Sequence, residues 1–76
     1  MMTLDQKKAV VARFLRRCNE YAEREIARYR LALDDADAAR ALELQDKICH
    51  WSAYRAFNAY ALTELEGTEL DAWFDE

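Results

Sequence analysis

The chain has 76 residues, 53% apolar and 12% aromatic, with 11 basic and 15 acidic side chains and a net charge of −4. This composition is too hydrophobic for a disordered segment, and one glycine with no proline is too few breakers for a sheet with turns. No run of 18 apolar residues is present, so we expect no membrane span. We expect a single all-α domain over residues 1–76, with a core that supplies only ~3–5 kcal/mol.

The first predicted helix covers about residues 4–33. Thr3 and Gln6 have the spacing of a capping box, in which each side chain bonds the backbone amide of the other residue. Apolar residues then recur at intervals of three and four, the period of one helix face. They are Leu4, Val11, Leu15, Cys18, Ala22, Ile26, Tyr29 and Leu33, with Phe14 widening the stripe on one side.

The second predicted helix covers about residues 35–66. The short acidic side chains of Asp34, Asp35 and Asp37 suit an N-cap and place negative charge at the positive end of the helix dipole. Gly67, the only glycine, fits the left-handed residue that commonly ends a helix. Thr68 and Asp71 repeat the capping-box spacing and predict a short final helix over about residues 69–75.

The short connection between the two long helices predicts an antiparallel helical hairpin. With the turn near residues 34–36, Cys18 lies level with Trp51, and Val11 lies level with Asn58. The face of helix 2 that packs against helix 1 is predicted from the helical period. It consists of Leu44, Ile48, Trp51 and Leu62.

Helix 2 carries more apolar surface than one neighbouring helix can cover. Its segment ICHWSAYRAFNAYAL, residues 48–62, has a single full charge at Arg55. Two helices packed along one seam bury too little apolar area to offset the entropy of ordering the chain. We therefore expect a four-helix-bundle homodimer, with a different protein partner as the second choice. The predicted interface consists of Leu42, Cys49, Ala53, Tyr54, Ala56, Phe57 and Tyr60.

The C-terminal segment ELDAWFDE, residues 69–76, combines aromatic and acidic side chains. Leu70, Trp73 and Phe74 follow the spacing of one helix face and could fold back as a cap on the open end of the hairpin. Aromatic anchors ringed by carboxylates also suit a basic, apolar pocket on a protein partner. Capping is the simpler interpretation, and the sequence leaves both open.

Charge is divided unevenly along the chain. Residues 1–30 hold eight basic and four acidic side chains, net +4, whereas residues 31–76 hold three basic and eleven acidic ones, net −8. A possible basic surface on helix 1 consists of Arg13, Arg16, Arg17, Arg24 and Arg28. Glu20 and Glu23 interrupt this arginine row, which favours a solvated face with internal ion pairs. The pI near 4.9 also disfavours nucleic-acid binding.

No arrangement of residues indicates an enzyme or a cofactor. Glu43, Asp46 and His50 share a flank of helix 2, but Lys47 stands where a helical di-iron protein has a glutamate, so we expect no metal. Cys49 and His50 are about 100° apart on the helix, which is unsuited to a nucleophile and its base. Two cysteines are too few for a disulfide framework, and without a secretory signal we expect a cytoplasmic protein.

The sequence therefore predicts a small non-enzymatic protein-interaction module. It would be a dimeric regulator, adaptor or inhibitor that binds another protein through its apolar surface or its acidic end. The alternative is a nucleic-acid-related regulator, which acts through the arginine row or blocks a nucleic-acid-binding protein by acidic mimicry.

Overall fold

Two long helices, α1 (Leu4–Leu33) and α2 (Ala38–Glu66), pack as an antiparallel hairpin and are followed by a short 3₁₀ helix (Asp71–Asp75). The structure, a computed structural model, describes residues 1–75 and, at Asp75, the backbone alone. The predicted all-α hairpin is confirmed, and it measures 54 × 17 × 17 Å. Within residues 1–75, neither long helix has the sustained apolar stretch that crossing a bilayer requires.

The start of α1 is determined locally. The Gln6 amide donates to the Thr3 hydroxyl at 3.1 Å, and the Thr3 amide donates to the side-chain oxygen of Gln6 at 2.8 Å. The predicted capping box is therefore confirmed, and it satisfies two amide groups that the first turn of a helix leaves without partners.

Helix α2 begins at Ala38, three residues later than predicted. Asp37 is the N-cap, because its carboxylate accepts a hydrogen bond from the Arg40 amide at 2.8 Å. The residues before it form the turn between the helices, in which the Ala36 amide donates to the Leu33 carbonyl at 3.2 Å. The three-residue difference arises because only one of the three acceptor side chains in this segment, that of Asp37, reaches the amide of a first helical turn.

Two local predictions at the end of α2 are wrong, the left-handed Gly67 and the second capping box, whereas the predicted short C-terminal helix is present. Gly67 ends the helix, but with a φ of −81° it lies outside the left-handed region. The final segment is a 3₁₀ helix that starts at Asp71, two residues later than the predicted start. Its first amide, that of Asp71, donates to the Thr68 carbonyl at 3.2 Å, and the Asp71 carboxylate binds Lys8. This carboxylate is therefore engaged outside the segment rather than in the predicted second capping box.

The core along the seam is small. Among residues 1–75, the buried apolar side chains are Ala12, Ala22, Ile26, Leu44 and Leu65. The side chain of Asn58 is also buried, with only 3% of its surface exposed. Of the face predicted for helix 2, Leu44 is fully buried and the remaining three residues are half-buried. The seam therefore stabilises the hairpin through few large side chains.

Candidate protein-binding surface

The chain exposes more surface than a compact protein of its mass. Its accessible surface is 5919 Å². A folded monomer of 8.9 kDa is expected to expose about 4,800 Å², so the excess is roughly 1,100 Å². The excess follows from the elongated shape, because each helix packs against a neighbour along one side only. A specific interface buries about 800 Å² per partner, so this surface is large enough for one.

Apolar side chains from both helices lie on one side of the hairpin, which we call the aromatic face. Residues three or four apart fall on the same flank of a helix, and each helix contributes one such series. The members are Val11, Phe14, Cys18 and Tyr21 from α1, and Tyr54, Phe57 and Ala61 from α2. Phe14 and Phe57 are 64% and 67% exposed, so the hairpin itself leaves this face largely uncovered.

Three aromatic rings in edge-to-face contact form the centre of the aromatic face. Trp51 lies in the seam, and its ring meets those of Tyr21 and Tyr54 edge to face, each with a centroid distance of 5.6 Å. Cys18 and His50 line the same shallow depression, which places Cys18 near Trp51 as the predicted register requires. The half-buried tryptophan thus orients the two exposed tyrosines on this face.

An apolar groove of about 390 Å³ lies where the aromatic face approaches the C-terminal segment. This volume is in the range of sites that bind small molecules or anchor side chains. The groove is lined by Val11, Leu15, Phe57, Tyr60, Ala61, Glu64, Leu65, Leu70, Trp73 and Phe74. Glu64 is the charged residue in this lining, and its hydrogen bond with the Tyr60 phenol, together with its charge, raises the pKa of Tyr60.

Two lysines of α1 hold the C-terminal segment in place. The Lys8 ammonium donates to the Gly67 carbonyl and to the Asp71 carboxylate, each at 2.8 Å, and the Lys7 ammonium donates to the Phe74 carbonyl at 3.4 Å. Of the three predicted tail anchors, Leu70 and Phe74 are half-buried, whereas Trp73 is 72% exposed. The segment therefore covers part of the open end of the hairpin and presents Trp73 outward.

The seven residues of the predicted interface occupy two different sides of α2. Tyr54 and Phe57 belong to the aromatic face, and Tyr60 stands at its edge in the groove lining. The other four are exposed and lie on the side directed away from α1: Leu42, Cys49, Ala53 and Ala56. At 100° per residue, Cys49 is about 140° from the buried Leu44. All seven are exposed, but one flat partner surface would not cover both sides.

The five residues of the arginine row are exposed along α1: Arg13, Arg16, Arg17, Arg24 and Arg28. Two of them bind carboxylates of the same chain: Arg16 lies 3.3 Å from Glu66, and Arg28 lies 2.6 Å from Glu25. The hydrogen bond and charge of Glu25 raise the pKa of Arg28. Part of the basic surface is thus neutralised within the hairpin, which supports the interpretation as a solvated face with ion pairs.

Glu43, Asp46 and His50, which share a flank of helix 2, do not form a metal site among the described residues. Glu43 binds Arg40 at 2.8 Å. Within the part of the chain that the structure describes, no three histidine, cysteine or acidic side chains converge as a metal site would require. Cys18 and Cys49 are free thiols, the first half-buried and the second exposed.

The predicted interface contains α2 residues alone and therefore misses the α1 half of the aromatic face. Phe14 and Tyr21 are seven residues apart, which places them on one flank beside the apolar stripe of α1. That seven-residue spacing is the feature of the sequence that indicates an aromatic flank on α1. It does not reveal on its own that this flank adjoins the flank of Tyr54 and Phe57, since that depends on how the two helices are rotated about their axes.

We infer function from the aromatic face and from the groove beside it. Comparison of the chain with protein-family models, with curated proteins and with solved structures finds no match.

Proposed function

We propose that this chain is a non-enzymatic protein-interaction module that works as a homodimer and regulates, adapts or inhibits another protein. The proposal rests mainly on the exposure of large apolar side chains on the aromatic face. The buried core of the hairpin is, by contrast, very small. Burying a phenylalanine fully is worth roughly 1.5–3 kcal/mol relative to leaving it exposed. Phe14 and Phe57 keep about two thirds of their surface in water in the isolated hairpin.

A second hairpin is the covering element that fits this face best. A chain of 76 residues obtains only ~3–5 kcal/mol from a single core, so association adds a large fraction of its stability. Two antiparallel hairpins placed face to face make a four-helix bundle, and twofold homodimers are the commonest oligomers. The rough excess of 1,100 Å² per chain matches the area that such an interface buries.

The C-terminal segment supplies a second surface for another protein. Trp73 is 72% exposed although its neighbours Leu70 and Phe74 pack against the hairpin. Tryptophan is enriched among the residues that dominate binding energy at interfaces. The carboxylate of Glu64, which lines the same groove as Trp73, and the exposed carboxylate of Glu69 favour a partner with a basic rim around an apolar pocket. Self-association would then use the aromatic face, and capture of a partner would use Trp73 at the end of the groove that adjoins it.

Light scattering and sedimentation of the purified chain test the dimer. We expect the unmodified chain to be a dimer and Phe57→Asp to be a monomer that circular dichroism still shows to be helical. Ala59→Asp introduces the same charge on the opposite, exposed flank of α2 and should leave the dimer intact. An unmodified chain that stays monomeric at its highest attainable concentration contradicts the proposal.

Affinity capture tests the partner surface separately. Immobilised chain and its Trp73→Ala variant are compared for the proteins they retain. We expect the variant to lose a partner that Leu42→Ala, which also removes an exposed apolar side chain, still retains. Equal retention by all three forms contradicts the role of Trp73.

A further inference from the structure

We propose that the two aromatic faces meet in one orientation, with α1 of each copy lying antiparallel against α2 of the other copy. The two-fold axis then runs along the helices. The inference rests on the proposed function, because it takes the aromatic face as the dimer interface, and it commits to a second copy of this chain as the occupant of that face.

Two orientations bring identical faces together. An axis along the helices places α1 against the partner's α2, whereas an axis across the helices places α1 against the partner's α1. Both bury Phe14 and Phe57, so apolar area does not distinguish them. The charges along the two edges of the aromatic face distinguish the two orientations.

The edge of the aromatic face on α1 is basic. Arg17, Arg24 and Arg28 follow one another at intervals of seven and four and are all exposed. Two acidic residues lie beside this edge: Glu25 is bound to Arg28, and the exposed Glu20 stands between Arg17 and Arg24 along the helix. Three arginines against these two carboxylates leave the edge net positive, and among the described side chains no carboxylate lies within ion-pair distance of Arg17 or Arg24.

The edge of the aromatic face on α2 is acidic. Asp46 is exposed near the turn, and Glu64 is half-buried near the other end of the helix. Lys47 follows Asp46 but lies over the ring of Tyr29 in its own hairpin, 5.8 Å from the centroid. An α1 helix laid on this edge would thus meet carboxylates.

The register brings the opposite charges to the same height. Tyr21 contacts Trp51, so Arg24, three residues further along α1, lies at nearly the height of Asp46. Rotation about an axis along the helices preserves height and brings Arg24 beside the partner's Asp46. Rotation about an axis across them instead sets the two arginine rows against each other, and this like-charge contact is unfavourable.

Arg24 and Asp46 cannot meet within one hairpin. At 100° per residue, Arg24 lies about 160° from the buried Ile26, and Asp46 lies about 160° from the buried Leu44. The two side chains therefore point outward from opposite edges. Any coupling between them reports a contact between copies.

A charge-reversal cycle measured by sedimentation equilibrium at low salt tests the orientation. Arg24→Glu and Asp46→Lys should each weaken the dimer about tenfold, since each places like charges together at two symmetric positions. The double variant should recover to within about threefold of the unmodified chain. Mixing the two single variants should also restore association, because the mixed dimer has opposite charges at both positions.

Glu23→Lys is the matched control for Asp46→Lys. Glu23 is exposed on the flank of α1 opposite Tyr21, so the same charge change there should leave association unaffected. If the losses of dimer affinity simply add in the double variant, and mixing the single variants restores nothing, the proposed orientation is wrong. The dimer itself would not be contradicted by that result. A monomeric unmodified chain would overturn the proposed function as well. Circular dichroism of each variant verifies that these exposed substitutions leave the helices folded.

Discussion

The ammonium group of Lys8 lies 2.8 Å from a carboxylate oxygen of Asp71 and 2.8 Å from the carbonyl oxygen of Gly67. One side chain near the start of α1 therefore joins both the end of α2 and the 3₁₀ helix. The Lys8 and Asp71 side chains are 18% and 30% exposed, so water shields this pair less than an ordinary surface ion pair. This contact holds the C-terminal segment across the open end of the hairpin.

Replacing Lys8 with methionine should loosen the C-terminal segment. The substitution retains an apolar stem and removes the hydrogen-bond donors, so we expect a loss of about 1–2 kcal/mol in the free energy of unfolding. The Trp73 amide, which donates to the Leu70 carbonyl at 3.0 Å, should exchange its hydrogen faster. Urea unfolding and hydrogen exchange measure the two effects. Lys47→Met is the control, and unchanged exchange at Trp73 would contradict the tether.

Leu44→Ala should abolish cooperative folding of the hairpin. Leu44 is fully buried in the seam, and truncating a buried leucine costs about 2–5 kcal/mol. That loss is comparable to all the stability that a core of this size supplies. Leu42→Ala makes the same chemical change at a residue that is 74% exposed, and its melting curve should be nearly unchanged. Thermal unfolding followed by circular dichroism compares the two, and similar melting temperatures would contradict this account of the core.

Asn58→Leu should stabilise the hairpin. Asn58 is 3% exposed, and its side-chain nitrogen has no hydrogen-bond partner among residues 1–75. A buried polar group without a partner costs about 1–3 kcal/mol, which a leucine of similar size would remove. We expect the free energy of urea unfolding to rise by about 1–2 kcal/mol. Asn58→Asp, which buries a charge at the same position, should lower it, and a loss of stability in the leucine variant would show that the amide is satisfied.

The phenol of Tyr60 should titrate above the ordinary range of tyrosine. Hydrogen bonding to Glu64 raises its pKa in the folded chain, so the neutral phenol is favoured by folding. The associated stability is fully present below the pKa of unfolded tyrosine, about 10, and is lost as the pH rises through the folded value. Glu64→Gln should lower the pKa of Tyr60. Ultraviolet titration, with Tyr60→Phe subtracted to isolate this phenol, measures the shift, and identical titration with and without Glu64 would contradict it.

Interactions between residues close together in the sequence allowed the helical hairpin to be predicted. The capping box of Thr3 and Gln6 depends on residues three positions apart, and the apolar period depends on residues three or four apart. Both patterns are set by neighbours in the sequence, although packing of the two helices supplies most of their stability. They were sufficient to predict two long helices, a short connection and therefore an antiparallel hairpin. They also showed that helix 2 has excess apolar surface, which is half of the candidate site.

Only the tertiary structure decided which flank of α1 lies beside which flank of α2, and where the C-terminal segment packs on the hairpin. The rotation of each helix about its axis places Phe14 and Tyr21 beside Tyr54 and Phe57, and many apolar residues on α2 would have allowed other rotations. Asp71 fits a local capping box by spacing, but its carboxylate binds Lys8, 63 positions away, and the segment is a 3₁₀ helix. Contacts of that range depend on the packing of the whole hairpin, and sequence spacing carries no information about it.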